Sequence, residues 1–280
     1  MRKINAADIA SLVREMCMEA NYNLNEDIKE ALIKAEESET SEVGKGILAD
    51  IIKNAGIAEE EKIPICQDTG MAVVFLEIGQ DVHITGGDLY KEIDRGVREG
   101  YAEGYLRKSV VGDPLRRKNT EDNTPAVIYT DIVPGESIQI TIAPKGFGSE
   151  NMSAVRMLKP SDGEKGVLDF VVDTIRSAGG NPCPPLVVGV GIGGTMDKAA
   201  LLAKRALLRD IRTGNEDEYY AGLECLLFER INSLGIGPQG LGGKTTVLGV
   251  NIETFPTHIA GLPVAVNICC HVARHVSRVL

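Results

Sequence analysis

Three of the six cysteines lie beside other reactive side chains, where a thiol could do chemistry. Cys66 is in the run ICQDTG, in which a thiol, an amide, a carboxylate and a hydroxyl follow one another just before an apolar segment. Cys183 lies between two prolines, which restrict the backbone on both sides. Cys270 follows the apolar run LPVAVNIC and precedes His271. Thiols in such settings are candidates for metal ligands or nucleophiles.

The other three cysteines have different surroundings. Cys17 and Cys225 lie among apolar residues at helical spacing, which predicts that both are buried in a core. Cys269 and Cys270 are consecutive, and successive side chains of a strand point to opposite faces. We therefore expect Cys269 to face away from any site that Cys270 joins.

The number and spacing of the three thiols limit the metal that they could hold. Three distant thiolates are one ligand short of a closed tetrahedral zinc site, and the paired C-x-x-C spacing of zinc ribbons is absent. The local cysteine spacing of ferredoxins is absent as well. An iron–sulfur cluster held by three cysteines, with one iron left open, fits the count. The residues alone leave a second alternative, a zinc ion that only stabilises the fold.

Two glycine-rich motifs suggest nucleotide binding but lack its other requirements. Gly189, Gly191 and Gly194 match G-x-G-x-x-G between an apolar run and a helical run. A dinucleotide site also needs a second strand that ends in an acidic residue about 20 residues on, and the sequence there is helical. The pattern favours a tight strand-to-helix turn, with an anion at the helix N-terminus and a dinucleotide-binding oxidoreductase as alternatives.

The run GGKTT resembles the end of a phosphate-binding P-loop. The leading glycine of that motif would fall at position 238, which is Pro238. A strand-like run, VLGVNI, follows where a P-loop requires a helix. The sequence therefore argues against phosphate binding by this loop.

The elements that must position these residues follow a mixed α/β (α+β) pattern. Apolar residues recur at three- and four-residue spacing through residues 5–55, which is typical of amphipathic helices. Later runs alternate between strand-like and helical character, and AVIYTDIV and SIQITIAP, joined across Pro134 and Gly135, predict a hairpin. We expect an N-terminal helical segment, residues 1–60. Residues 61–280 should form one region with a mixed sheet flanked by helices and glycine-rich strand-to-helix turns around a cluster site.

Composition excludes several classes of protein. The chain has 280 residues, 43% of them hydrophobic and 25% charged, as in an ordinary globular protein. Its net charge is −10, and no basic run relieves it, which argues against nucleic-acid binding. No apolar run has the length of a membrane helix, and the polar N-terminus does not resemble a signal peptide. We expect a cytoplasmic protein.

Five segments together carry a family resemblance. In order, they are ICQDTG from Ile65, YLRKSVVGDPL from Tyr105, KGFGSENMSAVRMLKP from Lys145, CPPLVVGVGIGGTMDKAALLAKRALLR from Cys183, and GPQGLGGKTTVLGVNIETFPTHIAGLPVAVNICCHVARH from Gly237. They resemble the α subunit of the class I, iron–sulfur-dependent fumarate hydratases and the similar L(+)-tartrate dehydratases. The resemblance is dense over residues 60–275, whereas the N-terminal helices match in character only.

The resemblance implies a cofactor and a reaction. It implies a [4Fe–4S] cluster held by Cys66, Cys183 and Cys270, with the fourth iron open for the substrate as a Lewis acid. The implied reaction is the reversible addition of water to fumarate, which gives L-malate. The L(+)-tartrate dehydratases share these features, so dehydration of tartrate to oxaloacetate is the alternative.

The same resemblance implies roles for five further residues. Arg107 would bind a substrate carboxylate, and Gln67 and the backbone at Gly148 would be further substrate contacts. Asp68 and His258 would form an acid–base pair, with no assignment of which one moves the proton. His271 and Lys244 are expected near the cluster without a chemical step.

The resemblance also implies a partner. Single-chain members of the family continue into a second, β-type domain that supplies further contacts to the active site, and this sequence ends at Leu280. We therefore expect a separate β subunit, an α2β2 assembly, an active site completed at the interface, and an apolar patch where the β subunit docks.

Overall fold

The computed structural model describes residues 1–280. Its α-helices are α1 (Ala6–Tyr22), α2 (Glu26–Ser38), α3 (Glu42–Glu61), α4 (Leu89–Glu103), α5 (Phe147–Glu150), α6 (Gly163–Ala178), α7 (Met196–Ala206) and α8 (Glu218–Asn232). Its strands are β1 (Arg2–Asn5), β2 (Met71–Gly79), β3 (Val82–Thr85), β4 (Val127–Val133), β5 (Ile138–Lys145), β6 (Ala154–Leu158), β7 (Leu186–Gly193), β8 (Val247–Phe255), β9 (Leu262–Cys269) and β10 (Val276–Val279). The mixture of helices and mixed sheets confirms the predicted α+β class.

Packing divides the chain into two units. Unit 1 contains Met1–Leu24, Asn54–Phe147 and Arg274–Leu280, and unit 2 contains Asn25–Lys53 and Gly148–Ala273. The division of the chain at residue 60 stays a proposal, because grouping by packing does not test which segments fold independently. None of the helices combines the length and the apolar character needed to cross a membrane.

Unit 1 is built on a four-stranded mixed sheet in the order β10-β5-β2-β4. Its core packs α1 and α4 against the apolar residues of β2 and β5, including Ile9, Val13, Val74 and Ile140. The buried residues of α1 recur every three or four positions, so they form one apolar face toward the sheet. Asn5 caps the helix, because its side chain accepts a hydrogen bond from the Ala7 N–H.

The predicted hairpin between β4 and β5 is wrong. Both strands exist, but β2 lies between them, paired parallel with β4 and antiparallel with β5. β2 is the most buried strand of this sheet, with seven of its nine residues buried. A strand that is apolar on both faces is favoured in the centre of a sheet, which explains why it separates its two sequence neighbours.

Unit 2 is built on a second four-stranded sheet in the order β6-β9-β7-β8. Every residue of β7 is buried, and β7 pairs parallel with β8 and antiparallel with β9. Helices α6 and α8 cover this sheet through one apolar cluster that includes Val171, Ile175, Leu227 and Ile231. β7 therefore runs through the core from the turn that contains Cys183.

Helix α8 corrects one prediction about the cysteines. Its buried residues Leu223, Leu227 and Ile231 follow a four-residue spacing and define the face toward the sheet. Cys225 lies two positions from Leu223, on the opposite side of the helix, and is exposed. The expectation that Cys225 is a core residue is therefore wrong, whereas Cys17 is fully buried as predicted.

Candidate functional site

The loop that contains Cys66, Gln67 and Asp68 precedes β2 in unit 1, and buried hydrogen bonds fix its end. The hydroxyl of Thr69 accepts a hydrogen bond from the Arg107 N–H (2.8 Å) and donates to the Arg107 carbonyl (3.2 Å). The hydroxyl of Tyr101 donates to the carbonyl oxygens of Thr69 (2.9 Å) and Gly70 (3.1 Å). Burial raises the pKa of Tyr101 far above its ordinary value, so this hydroxyl keeps its proton. The backbone of Arg107 is thereby tied to the cysteine loop.

The carboxylate of Asp68 is held by backbone groups on both oxygens. Oδ1 accepts from the Gly70 N–H (3.0 Å), and Oδ2 accepts from the Phe147 N–H (2.8 Å). A Cβ on Gly146 would lie 3.2 Å from Oδ2, and a Cβ on Gly70 would lie 2.6 Å from the Lys145 backbone. Gly146 and Gly70 therefore allow the backbone around Lys145 to lie close to the Asp68 loop.

Sequence reasoning did not assign this role to Phe147 and Gly146. The only signal in the sequence was the glycine-rich run KGFG, and the prediction from it concerned Gly148, as a substrate contact, and not Gly146 or Phe147. Gly148 is exposed and has no heavy atom within 4 Å of the place that a Cβ would occupy, so its backbone is open to a ligand.

The thiol of Cys66 and the side chain of Gln67 lie together, with the Cys66 Sγ donating to the Gln67 Oε1 over 3.3 Å. Cys66 is partly exposed, and the side chains of Gln67 and Arg107 are exposed. The side chain of Arg274, which is only 6% exposed, donates from Nη2 to the Asp68 carbonyl (2.9 Å). The Arg274 Nε is buried and has no hydrogen-bond partner.

In unit 2, the backbone at Cys183 meets the residue that follows Cys270. The carbonyl of Cys183 lies 3.0 Å from Nδ1 of His271. Cys183 is exposed, and its backbone has a left-handed φ of 56°. Cys270 is partly exposed, whereas Cys269, the last residue of β9, is buried.

His258 lies in the exposed loop between β8 and β9. Its Nδ1 accepts a hydrogen bond from the Ala260 N–H over 3.1 Å. Nδ1 therefore carries the lone pair, and the proton of the neutral ring is on Nε2. Thr257 donates to the Gly194 carbonyl (2.9 Å), which connects this loop to the turn after β7.

The remaining cysteines contrast with these thiols. Complete burial raises the pKa of Cys17 to about 12, so this thiol is neutral and inaccessible. None of the six cysteines forms a disulfide. Among the thiols at strand ends and turns, only Cys269 is buried.

Thiols are the ligands that iron–sulfur clusters use, and Cys66, Cys183 and Cys270 each offer one at an accessible position. No three His, Cys, Asp or Glu side chains form a group that could hold one metal ion. A cluster needs no such group, because each thiolate binds a different iron. In unit 1, the buried Nε of Arg274 has no hydrogen-bond partner, so an acceptor beside the loop that Arg274 holds would satisfy it.

The G-x-G-x-x-G motif serves helix packing. A Cβ on Gly189 would lie 2.0 Å from the Ala203 carbonyl, and a Cβ on Gly191 would lie 2.0 Å from the Ala199 carbonyl. α7 therefore packs directly on the backbone of β7, and the motif ends in a tight turn with φ of 95° at Gly193 and 67° at Gly194. This observation favours the structural interpretation over dinucleotide binding.

The GGKTT loop already holds an anion from the chain itself. The carboxylate of Glu39, which is 2% exposed, accepts hydrogen bonds from the N–H groups of Lys244 (2.8 and 2.9 Å) and Thr245 (3.2 Å). A Cβ on Gly243 would lie 2.9 Å from this carboxylate. The loop therefore binds a side chain where a P-loop would bind phosphate.

Comparison with known proteins identifies the family. The chain belongs to the fumarate hydratase (Fumerase) family, whose model matches residues 10–279. The class I enzymes of this family and the related tartrate dehydratases depend on an iron–sulfur cluster.

Named relatives match over nearly the whole chain. A Methanocaldococcus jannaschii protein, provisionally named an L(+)-tartrate dehydratase subunit alpha, is 48% identical over 272 residues, which is 95% of each chain. An L(+)-tartrate dehydratase subunit alpha from Escherichia coli is 33% identical over 270 residues, covering 95% of this chain and 88% of the relative. The chain is thus similar to proteins named as L(+)-tartrate dehydratase α subunits over 95% of its length.

Proposed function

We propose that this chain is the α subunit of an iron–sulfur hydro-lyase that catalyses the reversible hydration of fumarate to L-malate. The observation that carries the proposal is the match to the fumarate hydratase family over residues 10–279, together with accessible thiols at the three expected positions. The relatives' names as α subunits of dehydratases support the reaction class.

Cys66, Cys183 and Cys270 would hold the cluster. When bound, a [4Fe–4S] cluster with three thiolate ligands supplies an iron that polarises the hydroxyl and carboxylate of the substrate. The accessibility of these three thiols supports this assignment.

Three groups of the chain would bind the substrate carboxylates. The exposed guanidinium of Arg107 can form two parallel hydrogen bonds to a carboxylate, and Thr69 fixes the backbone from which it extends. Gln67 offers an amide beside Cys66, and the backbone of Gly148 is open to close approach. These groups recognise carboxylate and hydroxyl oxygens, which both candidate substrates contain.

Asp68 and His258 would act as the acid–base pair. The neutral His258 ring carries its proton on Nε2 because Nδ1 accepts from Ala260. In this form Nε2 can donate a hydrogen bond to a substrate oxygen. Asp68 is oriented by its two backbone hydrogen bonds.

A separate β subunit would complete the enzyme. The relatives carry the name subunit alpha, which implies a second kind of subunit in those enzymes. We propose the same for this chain, in an α2β2 assembly.

L(+)-tartrate is the second candidate substrate, and the names of the relatives favour it. Tartrate differs from malate by one additional hydroxyl. A site that hydrogen-bonds this hydroxyl would be left with unpaired polar groups when malate binds, which can discriminate strongly.

Cluster binding is tested by measuring iron and acid-labile sulfide per chain after anaerobic reconstitution. We expect about four of each in the wild type and loss of both in the Cys66→Ser, Cys183→Ser and Cys270→Ser variants. Cys225→Ser is the matched control, because this thiol is exposed on α8 and should not bind the cluster. Stoichiometric zinc, or iron that does not depend on those three cysteines, would refute the proposal.

The substrate is tested with the reconstituted αβ complex by comparing kcat/KM for fumarate, L-malate and L(+)-tartrate. A higher value for tartrate would transfer the assignment to tartrate dehydratase. In the same complex, His258→Gln keeps a donor near the position of Nε2 but cannot transfer a proton. We expect kcat to fall by roughly 10²- to 10⁴-fold, and a fall of less than about tenfold would remove His258 from the proton-transfer step.

A further inference from the structure

The turn that presents the Cys183 thiol has a conformation that needs support from other residues. Cys183 has a φ of 56°, in the left-handed region that residues with a Cβ seldom adopt. Its N–H donates to the Gly180 carbonyl (3.1 Å), and its Sγ donates to the Asn181 carbonyl (4.0 Å). These local bonds close the turn, and the carbonyl groups of Cys183 and Pro184 have partners elsewhere in unit 2. A strained residue persists only where its surroundings over-determine it.

Two side chains supply that support. Nδ1 of His271 lies 3.0 Å from the Cys183 carbonyl. Gln239 donates to the Pro184 carbonyl twice, from its backbone N–H (2.7 Å) and from its side-chain Nε2 (3.0 Å). Two consecutive carbonyls of the turn are thus each held by a residue that is distant in sequence.

These contacts determine the tautomer of His271. A carbonyl oxygen only accepts hydrogen bonds, so Nδ1 must carry the proton that it donates to Cys183. Nε2 of Gln239 also lies 3.3 Å from this Nδ1. With the proton on Nδ1, both nitrogens are donors and form no hydrogen bond with each other. The Gln239 amide donates to the Pro184 carbonyl instead. His271 therefore contributes through Nδ1, and its Nε2 is not needed for the turn.

We propose that His271 and Gln239 are positioning residues that hold the Cys183 turn in the conformation that binds the cluster, and that His271 sets the backbone of Cys183 beside the segment of Cys270. The role in cluster binding rests on the function proposed above. The contacts to the two carbonyl groups do not, because they are present without a cluster.

The glycine-rich loop around Gln239 is shaped for this task. Gln239 itself has a left-handed φ of 53°, and a Cβ on Gly240 would lie 2.6 Å from the Gly180 Cα, so the loop packs directly on the start of the cysteine turn. At its far end the loop is held by the Glu39 carboxylate through Lys244 and neighbouring N–H groups. The segment GPQGLGGKTT therefore packs against the Cys183 turn and supports its conformation.

The experiment replaces His271 by side chains that imitate one ring nitrogen at a time. His271→Asn places an amide donor near the position of Nδ1, and His271→Gln places one near the position of Nε2. Gln239→Glu removes the side-chain donor to Pro184 with almost no change of shape. His83→Gln, at an exposed position on β3 in unit 1, is the control.

Two measurements are made on each variant. The first is the rate at which a chelator removes iron from the anaerobically reconstituted protein. The second is hydrogen exchange at the Cys183 amide in the cluster-free chain. We expect His271→Gln and Gln239→Glu to lose iron and to exchange this amide roughly three- to tenfold faster than the wild type, as for the loss of one hydrogen bond. His271→Asn and His83→Gln should match the wild type.

Wild-type rates of iron loss and amide exchange in His271→Gln, with faster rates in His271→Asn, would overturn the proposal. Such a result would show that Nε2 of His271, and not Nδ1, is required. Wild-type behaviour of both His271→Gln and Gln239→Glu would overturn it as well. If the wild type binds no cluster, the proposed function fails, and hydrogen exchange still decides whether the two side chains hold the turn. If a histidine variant does not fold, Gln239→Glu decides.

Discussion

Replacement of Glu39 by glutamine should destabilise unit 2 and remove a pH dependence. The carboxylate of Glu39 is buried and accepts backbone N–H groups of Thr40, Ser41, Lys244 and Thr245. Burial alone would raise the pKa of Glu39, but the four backbone hydrogen bonds outweigh it and lower the pKa below its ordinary value of 4.5. The ionised form is therefore stabilised by folding.

The loss of stability in Glu39→Gln can be derived from the number of hydrogen-bond acceptors that the side chain loses. In Glu39→Gln, one oxygen becomes an NH2 group, which cannot accept. If the NH2 group replaces Oε2, Lys244 keeps its bond to Oε1, whereas the buried Thr245 N–H loses its partner and faces a donor. Loss of one hydrogen bond to a charged group costs about 1.5–3 kcal/mol. In a unit of this size, the melting temperature should fall by about 4–10 °C.

The pH dependence has a definite sign. Because folding lowers the pKa of Glu39, its contribution is complete above the ordinary pKa and is lost as the pH falls through the lower, folded-state pKa. The difference in melting temperature between the wild type and Glu39→Gln should thus be constant at neutral pH and shrink below about pH 4.5. Thermal denaturation followed by circular dichroism measures both effects.

Glu37→Gln is the matched control, since Glu37 is exposed two positions away on α2. It should leave the melting temperature within about 1 °C of the wild type. Equal melting temperatures of Glu39→Gln and the wild type at neutral pH would refute the reasoning, and so would a difference that grows as the pH falls.

Two further predictions test packing and positioning. Gly191→Ala places a Cβ 2.0 Å from the Ala199 carbonyl and should lower stability by at least about 3 kcal/mol in urea denaturation. Gly222→Ala, in open space on α8, should raise it by about 0.5–1 kcal/mol, and similar effects of the two changes would contradict the packing of α7 on β7. Thr69→Val removes both hydrogen bonds to the Arg107 backbone and should raise KM for the dicarboxylate roughly tenfold with a smaller change in kcat. Thr69→Ser keeps the hydroxyl and should restore KM, and equal KM values for the two variants would contradict this positioning.

Periodicity predicted the longer elements of the fold correctly. The helices expected from residues 5–55 are present, and so are strands at the runs AVIYTDIV, SIQITIAP and VLGVNI. These segments are strongly patterned, so local sequence determines their type.

Pairing of strands was less predictable than their existence. The hairpin across Pro134 and Gly135 was wrong because a third strand, β2, inserts between its arms. The short strands β1, β3, β6 and β10 were missed, because each has only four or five residues, too few for a periodic pattern to be recognised. Such strands form because a neighbouring strand offers unpaired N–H and C=O groups, which is information that the strand's own sequence does not contain.

Exposure of the cysteines shows the same limit at the site. The sequence distinguishes Cys17 correctly, because residues at three- and four-residue spacing around it share its buried face. Cys225 also has apolar neighbours, but they belong to the opposite face of α8, and a count of apolar neighbours does not separate the two faces. The roles of Phe147, Arg274 and His271 could not be predicted, because each acts on a carboxylate or carbonyl group that is remote in sequence.

The two glycine-rich motifs show why a motif alone does not define a ligand. Glycine permits close approach, but it does not specify what approaches. In β7 the approaching groups are the carbonyls of Ala199 and Ala203 on α7, and in the GGKTT loop the approaching group is the carboxylate of Glu39. Both motifs are therefore filled from within the chain. The first motif fixes β7 to α7, and the second belongs to the loop that holds Gln239 against the Cys183 turn. Both make the structure around Cys183 rigid, and a thiol needs rigid surroundings if its position must be set before the cluster binds.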